Sequence, residues 1–370
     1  MVTLSAMTTE SGQRNSASWI DDGEKYAVIA LAVKLDDPVP LQQMTPHHWA
    51  FADARFDMPT HWREWLGTIR TEEVENSDLF LLSKVRSQAP EIVDGETAEL
   101  KRRAGHFYAG LLLASPFAPA HKPVMLAGYR QNGEINVRSQ DDFEPIIPSI
   151  VRHYPAVTFV ELELAAKIAS KIAIVETAPL NGGRWRLFRI FDLYLKARAI
   201  PQNMDRLHQY CRCIDGLIVS KQGEARKQFK SRTELFIGPR HHDMMGETYD
   251  VRSDVEHLYE NKHLEVFDRT ARLELLKKLE MMEYIARTAL VRIVPEPKLW
   301  PHFANTSALQ AFWELDDQQR RALWGTPINP TDVLADFDPR DVSDAQLGSR
   351  ERIEANTDGE GFSAHPHHHR

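Results

Sequence analysis

The chain has 370 residues, enough for two domains, and 42% of them are hydrophobic, enough to bury a sizeable core. No apolar run approaches the ~18 residues that cross a bilayer, and residues 1–18 lack the apolar stretch of a secretory signal. The cytoplasm is therefore the expected location. A net charge of -8 excludes a protein that coats nucleic acid indiscriminately, but leaves room for a local basic site.

In chain order, residues 1–18 read as a disordered leader and 19–155 as a mixed α/β domain of possible regulatory role. Within it, Tyr26 to Val33 has the composition of a buried strand, and Asp36 to Pro46 is rich in turn formers. Leu100, Ala104, Phe107 and Leu111 mark one face of a helix over 97–113. Val124 to Tyr129 and Ile135 to Val137 flank Asn132-Gly133, the pair most favoured in a two-residue hairpin turn.

From Pro155 the apolar period becomes helical, and residues 156–296 read as an all-helical bundle. Leu164, Ile168, Ile172 and Val175 share a face of a first helix, which Pro179 and Gly182-Gly183 terminate. A second helix, about 184–199, carries Phe188, Phe191 and Leu195. The third carries Met204, Leu207, Cys211, Ile214 and Ile218. The fourth runs over about 224–237 and stops at Gly238-Pro239. A short helix is expected over 247–259. A long one follows over 266–294, with Leu275, Leu279, Met282, Ala286, Ala289 and Ile293 along one seam. Residues 297–338 form a helical extension with a helix over 307–323, and 339–370 read as a disordered tail with histidines at 367–369. The fold class expected is α+β.

Cys211 and Cys213 point roughly 200° apart on a helix, so they suit neither a disulfide nor a shared metal. Two basic groups stand out. One is Arg184, Arg186, Arg189, Lys196 and Arg198; the other is Lys221, Arg226, Lys227, Lys230 and Arg232. Each suits a solvated helix face or the lining of an RNA groove.

The chemistry-bearing stretch is Tyr249-Asp250-Val251-Arg252-Ser253-Asp254-Val255-Glu256-His257. On a helix, Val251, Val255 and Leu258 form the core-facing stripe. Arg252, Glu256, Tyr249, Ser253 and His257 spread over the opposite side. A guanidinium holds phosphate oxygens and stabilises charge that develops on them, and an imidazole moves protons near neutrality. RNA brings its own nucleophile, the 2′-hydroxyl, so cleavage by such a pair needs no metal and no cofactor.

Arg252-x4-His257, on the penultimate helix of a bundle, resembles the HEPN superfamily motif Arg-x4–6-His. With Tyr249, Ser253 and the preceding Arg232-Thr233-Glu234-Leu235-Phe236, it resembles the ApeA-like HEPN branch, over about 160–294. The resemblance implies a metal-independent endoribonuclease of the toxin–antitoxin or phage-defence kind. It implies a homodimer that pools Arg and His from both subunits, and an antitoxin or a phage-derived activator as a partner. In that frame Arg252 stabilises phosphate, His257 does acid–base work, and Ser253 and Tyr249 support them. Branch members often carry Gly after the histidine, where this chain has Leu258.

The plainer alternative is a non-catalytic, HEPN-like dimerisation or partner-binding protein, with Arg252 simply paired to Glu256 four residues on. A third reading, metal chemistry at His241-His242-Asp243 and His263, lacks a second spaced ligand pair. Glu161, Glu163 and Glu176 form no recognisable catalytic carboxylate pair. The usual phosphate-loop, dinucleotide and nucleophile-elbow strings are missing.

Overall fold

In the computed structural model the described residues are 19–52, 58–87, 94–150, 154–178, 184–265 and 267–348. The expected leader, the helix stops at Pro179, Gly182 and Gly183, the start of the long helix at Val266, and the histidine tail lie outside them. The architecture is mixed α and β. Among the described residues no helix is long and apolar enough to cross a membrane.

The chain divides into two compact units, Met1–Ala104 with Pro123–Asp142 and Gly105–Lys122 with Phe143–Arg370. The first is built on an antiparallel sheet of six strands, ordered β2-β3-β4-β1-β5-β6: β1 (Glu24–Leu31), β2 (Gln42–Thr45), β3 (His48–Ala52), β4 (Leu79–Arg86), β5 (Val124–Gln131) and β6 (Glu134–Asp142). β1 runs down the middle, with Val28 opposite Leu82 on one side and Leu126 on the other. Asn132 and Gly133 take φ of 54° and 82°, the left-handed pair that a tight β5–β6 turn requires. Helix α1 (Trp62–Glu75) seats Trp62, Leu66 and Val74 on a core of Trp19, Tyr26, Val28, Phe51, Phe80 and Leu126. Lys25 is buried in this unit and held by Asp94, and by Glu96 at 2.9 Å.

Helix α2 (Gly95–Ala114) contributes its first half to the sheet unit and its second half to the helical unit. A Cβ at Gly110 would stand 2.2 Å from the Ala165 carbonyl oxygen, so only glycine lets α2 approach α3 (Phe159–Glu176) so closely. Thr158 and Glu161 close a reciprocal capping box at the start of α3. There follow α4 (Trp185–Ala197), α5 (Asn203–Ile218), α6 (Ala225–Ile237), α7 (His242–Glu256) and α8 (Arg269–Ile293). α5 is the hub and packs on α4, α6, α7 and α8. Both cysteines are free thiols buried on α5, and burial pushes each thiol well up.

The chain after α8 departs from expectation in two places. The helix expected over 307–323 is two helices, α10 (Thr306–Glu314) and α11 (Asp317–Trp324), after the single turn α9 (Trp300–Phe303). Asp316 and Gln319 form a capping box that starts α11 afresh. Pro339–Asp341, expected in a disordered tail, forms a 3-10 turn, and Val342 is buried. Two arginines at the start of α8 hold this segment. Arg269 donates to the Val342 carbonyl at 2.6 Å, and Arg272 to that of Leu347 at 3.2 Å.

Candidate functional site

The short helix expected over 247–259 begins earlier and ends earlier. α7 starts at His242, directly after a 3-10 turn at Pro239–His241, and its last residue is Glu256. His257 is the C-cap. The Tyr259 N–H bonds the Asp254 carbonyl at 2.7 Å and the Leu258 N–H bonds that of Val255 at 3.2 Å, the paired bonds of a Schellman turn. That turn needs a left-handed residue, and Leu258 supplies it with φ of 59°. The backbone at Leu258 is thus one that favours glycine. Leu258 was expected in the core-facing stripe. It is 80% exposed, because the helix has ended before reaching it. Val251 and Val255 are buried as expected.

Arg252 points between α7 and α5. Its guanidinium carbon lies 5.4 Å from the centre of the Tyr249 ring, and that ring packs on Phe229 of α6. One Nη lies 3.6 Å from an Asp215 carboxylate oxygen and 3.8 Å from one of Glu256. Both are beyond hydrogen-bond length. Its Nε is buried without a hydrogen-bond partner among the described residues. The group is therefore held by charge, with its Nε left unbonded among the described residues.

The polar stripe of α7 faces a polar stripe of α5. His208, Arg212 and Asp215 sit at i, i+4 and i+7 on α5. His208 Nε2 meets Glu256 at 2.5 Å, and that bond lowers the Glu256 pKa. Burial raises the pKa of Asp215, opposed in part by Arg252. Ser220 donates to Asp215 at 3.2 Å.

Arg212, Asp215, Ser220 and Arg252 open onto a cleft of about 430 Å³. Four guanidinium groups line it, Arg186 and Arg189 from α4, Arg212 from α5 and Arg252 from α7, against the one carboxylate of Asp215. Arg189 is ion-paired with Asp192. Arg186, like Arg252, has a buried Nε without a partner among the described residues. Trp185 stands at the cleft, 50% exposed. The cleft thus combines surplus positive charge with an accessible aromatic face, the pairing that single-stranded nucleic acid uses.

The residues singled out from sequence are only partly brought together. Arg252 lines the cleft and Tyr249 supports it. Ser253 is half-buried, lies outside the lining, and accepts the His257 N–H at its carbonyl at 3.1 Å. His257 is exposed and also lies outside the lining, its ring 6.4 Å from that of Tyr259.

The basic groups divide as well. Arg198 is buried and donates to the Phe117 carbonyl at 2.8 Å. Arg232 donates to the Ile218 and Val219 carbonyls at 2.6 and 2.9 Å, closing the end of α5. Arg226 pairs with Asp250 at 2.7 Å. Arg212 and Asp215 were not singled out from sequence; the spacing of His208, Arg212 and Asp215 carried the signal. His242 meets Glu234 at 2.5 Å, and among the described residues no group of three or more His, Cys, Asp or Glu side chains is placed to hold a metal.

No family model, curated protein or solved structure matches this chain.

Proposed function

We propose that this protein is a metal-independent endoribonuclease of the HEPN type, acting as a homodimer on single-stranded RNA. The observation that carries the reading is the cleft lined by four arginines and one carboxylate, in which the buried Nε of Arg252 has no partner among the described residues. A phosphodiester supplies the missing negative charge, and Trp185 offers a face for a base. In the reaction the RNA 2′-oxygen bonds to phosphorus and the bond from phosphorus to the 5′-oxygen breaks. Arg252 stabilises the charge gathered on the phosphoryl oxygens. His257 takes the 2′-hydroxyl proton and returns a proton to the departing 5′-oxygen.

His257 lies outside its own chain's cleft, so the histidine at each cleft is His257 of the partner subunit. The surface around it favours such pairing. Leu258, Tyr259 and Leu264 are exposed large hydrophobics within seven residues of His257. Burying these apolar side chains against a second copy would favour association. A role as a toxin or phage-defence effector, restrained or activated by another protein and working in the cytoplasm, belongs to the same proposal.

Asp215 and Glu256 beside Arg252 favour a second reading, in which the arginine is neutralised in place and α7 serves dimerisation or partner binding without catalysis. Incubating RNA with the protein in excess chelator separates the two. The first reading expects cleavage that His257→Ala and Arg252→Ala each abolish while helical content is kept. Intact RNA with the wild-type protein supports the second.

A further inference from the structure

Two carboxylates stand beside Arg252, and each is tied to a different donor. One Nη of the guanidinium lies 3.6 Å from Asp215 and 3.8 Å from Glu256. A guanidinium–carboxylate hydrogen bond closes at about 2.7–2.9 Å, so both oxygens stop roughly 1 Å short of one. A glutamate four residues after an arginine on a helix is placed to pair with it. Glu256 is instead drawn the other way.

His208 draws it. The ring donates from Nε2 to Oε2 of Glu256 at 2.5 Å, and Oε2 is the oxygen that faces Arg252. His208 stands on α5 one turn before Arg212 and two before Asp215, so its ring meets the last residue of α7. The histidine side chain is 12% exposed and that of Glu256 45%, so the ring is the fixed partner and the glutamate the movable one. Asp215 is restrained in a similar way. Val219 ends α5 with φ of 52°, and the Ser220 hydroxyl that follows donates to the other Asp215 oxygen at 3.2 Å. Glu256 is an anion at neutral pH with or without its histidine, since an ordinary glutamate titrates near ~4.3. Without the ring, it competes with any phosphate for Arg252.

We infer that His208 is a positioning residue of the arginine cleft: by holding Glu256 off Arg252, it leaves that guanidinium to a phosphate. The inference deepens the RNA reading and rests on the part of it that places a phosphate at Arg252.

Binding of a short oligothymidylate to the full chain, read by fluorescence anisotropy at low salt, tests it. This DNA carries phosphates but no 2′-hydroxyl, so it binds without being cut. His208→Ala is expected to weaken binding by about two- to five-fold, the worth of one exposed Arg–Glu pair. His208→Phe fills the space of the ring without a donor; it is expected to do the same, and decides the matter should the alanine variant fail to fold. His208→Gln keeps an N–H for Glu256 and is expected to bind as wild type does. Glu256→Gln is expected to restore binding to the His208→Ala chain and to gain less in the wild-type chain, a coupling that a merely structural histidine would not produce. RNA cleavage, measured alongside, separates the inference from the reading beneath it. Binding that follows this series while RNA stays intact removes the ribonuclease and keeps the positioning role. RNA cut by wild type, with the strand bound equally by wild type and His208→Ala, removes the positioning role alone. An equal gain from Glu256→Gln in both chains, or a wild type that leaves the strand unbound, also overturns it.

Discussion

A lone buried cation in the sheet unit and a cluster of cations in the helical unit show how differently charge can be placed. In the sheet unit, Lys25 is 1% exposed and faces two carboxylates, Asp94 and Glu96. Burial alone would lower its pKa, yet the hydrogen bonds and charges of those partners raise it. That cation is compensated, near the start of the central strand β1. In the helical unit, four guanidinium groups gather around a single carboxylate, and two of them leave a buried Nε unbonded. Arg189 pairs with Asp192, and Arg252 lies near Asp215 and Glu256, so compensation in the cleft is partial where that of Lys25 is complete. Under the proposed function, the phosphates of RNA complete that compensation.

The sharpest way to break this comparison is to remove the proposed chemistry. Arg252→Ala and His257→Ala are each expected to lower RNA cleavage by about 10²–10⁴-fold, measured by single-turnover assay at pH 7. Both variants should unfold at nearly the wild-type temperature, since His257 is exposed and Arg252 makes no hydrogen bond that the fold requires. Retained cleavage would reduce the cleft to an ornament of the surface.

A smaller effect sharpens it. Arg186→Ala is expected to weaken single-stranded RNA binding by about ten-fold. It should also reduce by about one the slope of log affinity against log salt, since one phosphate contact is lost. Lys25→Met in the sheet unit should leave that slope untouched.

Leu258→Gly is expected to stabilise the protein by about 1 kcal/mol in denaturant unfolding, because glycine takes the left-handed turn without a Cβ clash. Cleavage should persist, as the backbone path at His257 is unchanged.

The compensated site has its own signature in pH. The Lys25 hydrogen bond, with the Thr97 backbone N–H, holds the Asp94 carboxyl down at about 2. A carboxyl depressed on folding stabilises the fold above its unfolded value near ~4 and loses that contribution as pH falls toward its folded value. Thermal melts of wild type should therefore fall between those limits more steeply than melts of Asp94→Asn. Equal slopes would remove the stabilising role of the pair.

Much of this was legible in the sequence where one element carried the whole signal. β1, the β5–β6 hairpin and the helices α2 to α6 and α8 announce themselves through local period and turn chemistry. α1 does not, because Gly67 takes φ of 74° inside it and interrupts the helical period between Leu66 and Val74. β4 was also missed. Its residues 79–83 are all buried, and Leu79 to Leu82 form an apolar run without alternation that suits strand and helix alike. Arg252 and Tyr249 were found because they share a helix face. The cleft was not, since its arginines come from three helices and only packing on α5 unites them. Arg198 lies close in sequence to Arg186 and Arg189 but turns inward, a choice made by the Phe117 carbonyl and not by local pattern. Leu258 shows the converse. A helical period extended by one turn too many puts an exposed residue in the core.

Subunit mixing tests the central claim most directly. If Arg252 of one chain works with His257 of the other, each single variant is inactive, yet a dimer of Arg252→Ala with His257→Ala keeps one intact site. Co-expressed variants, randomly paired, are expected to recover roughly a quarter of wild-type RNA cleavage in chelator. A mixture as inactive as its components, or either variant active alone, would contradict the account.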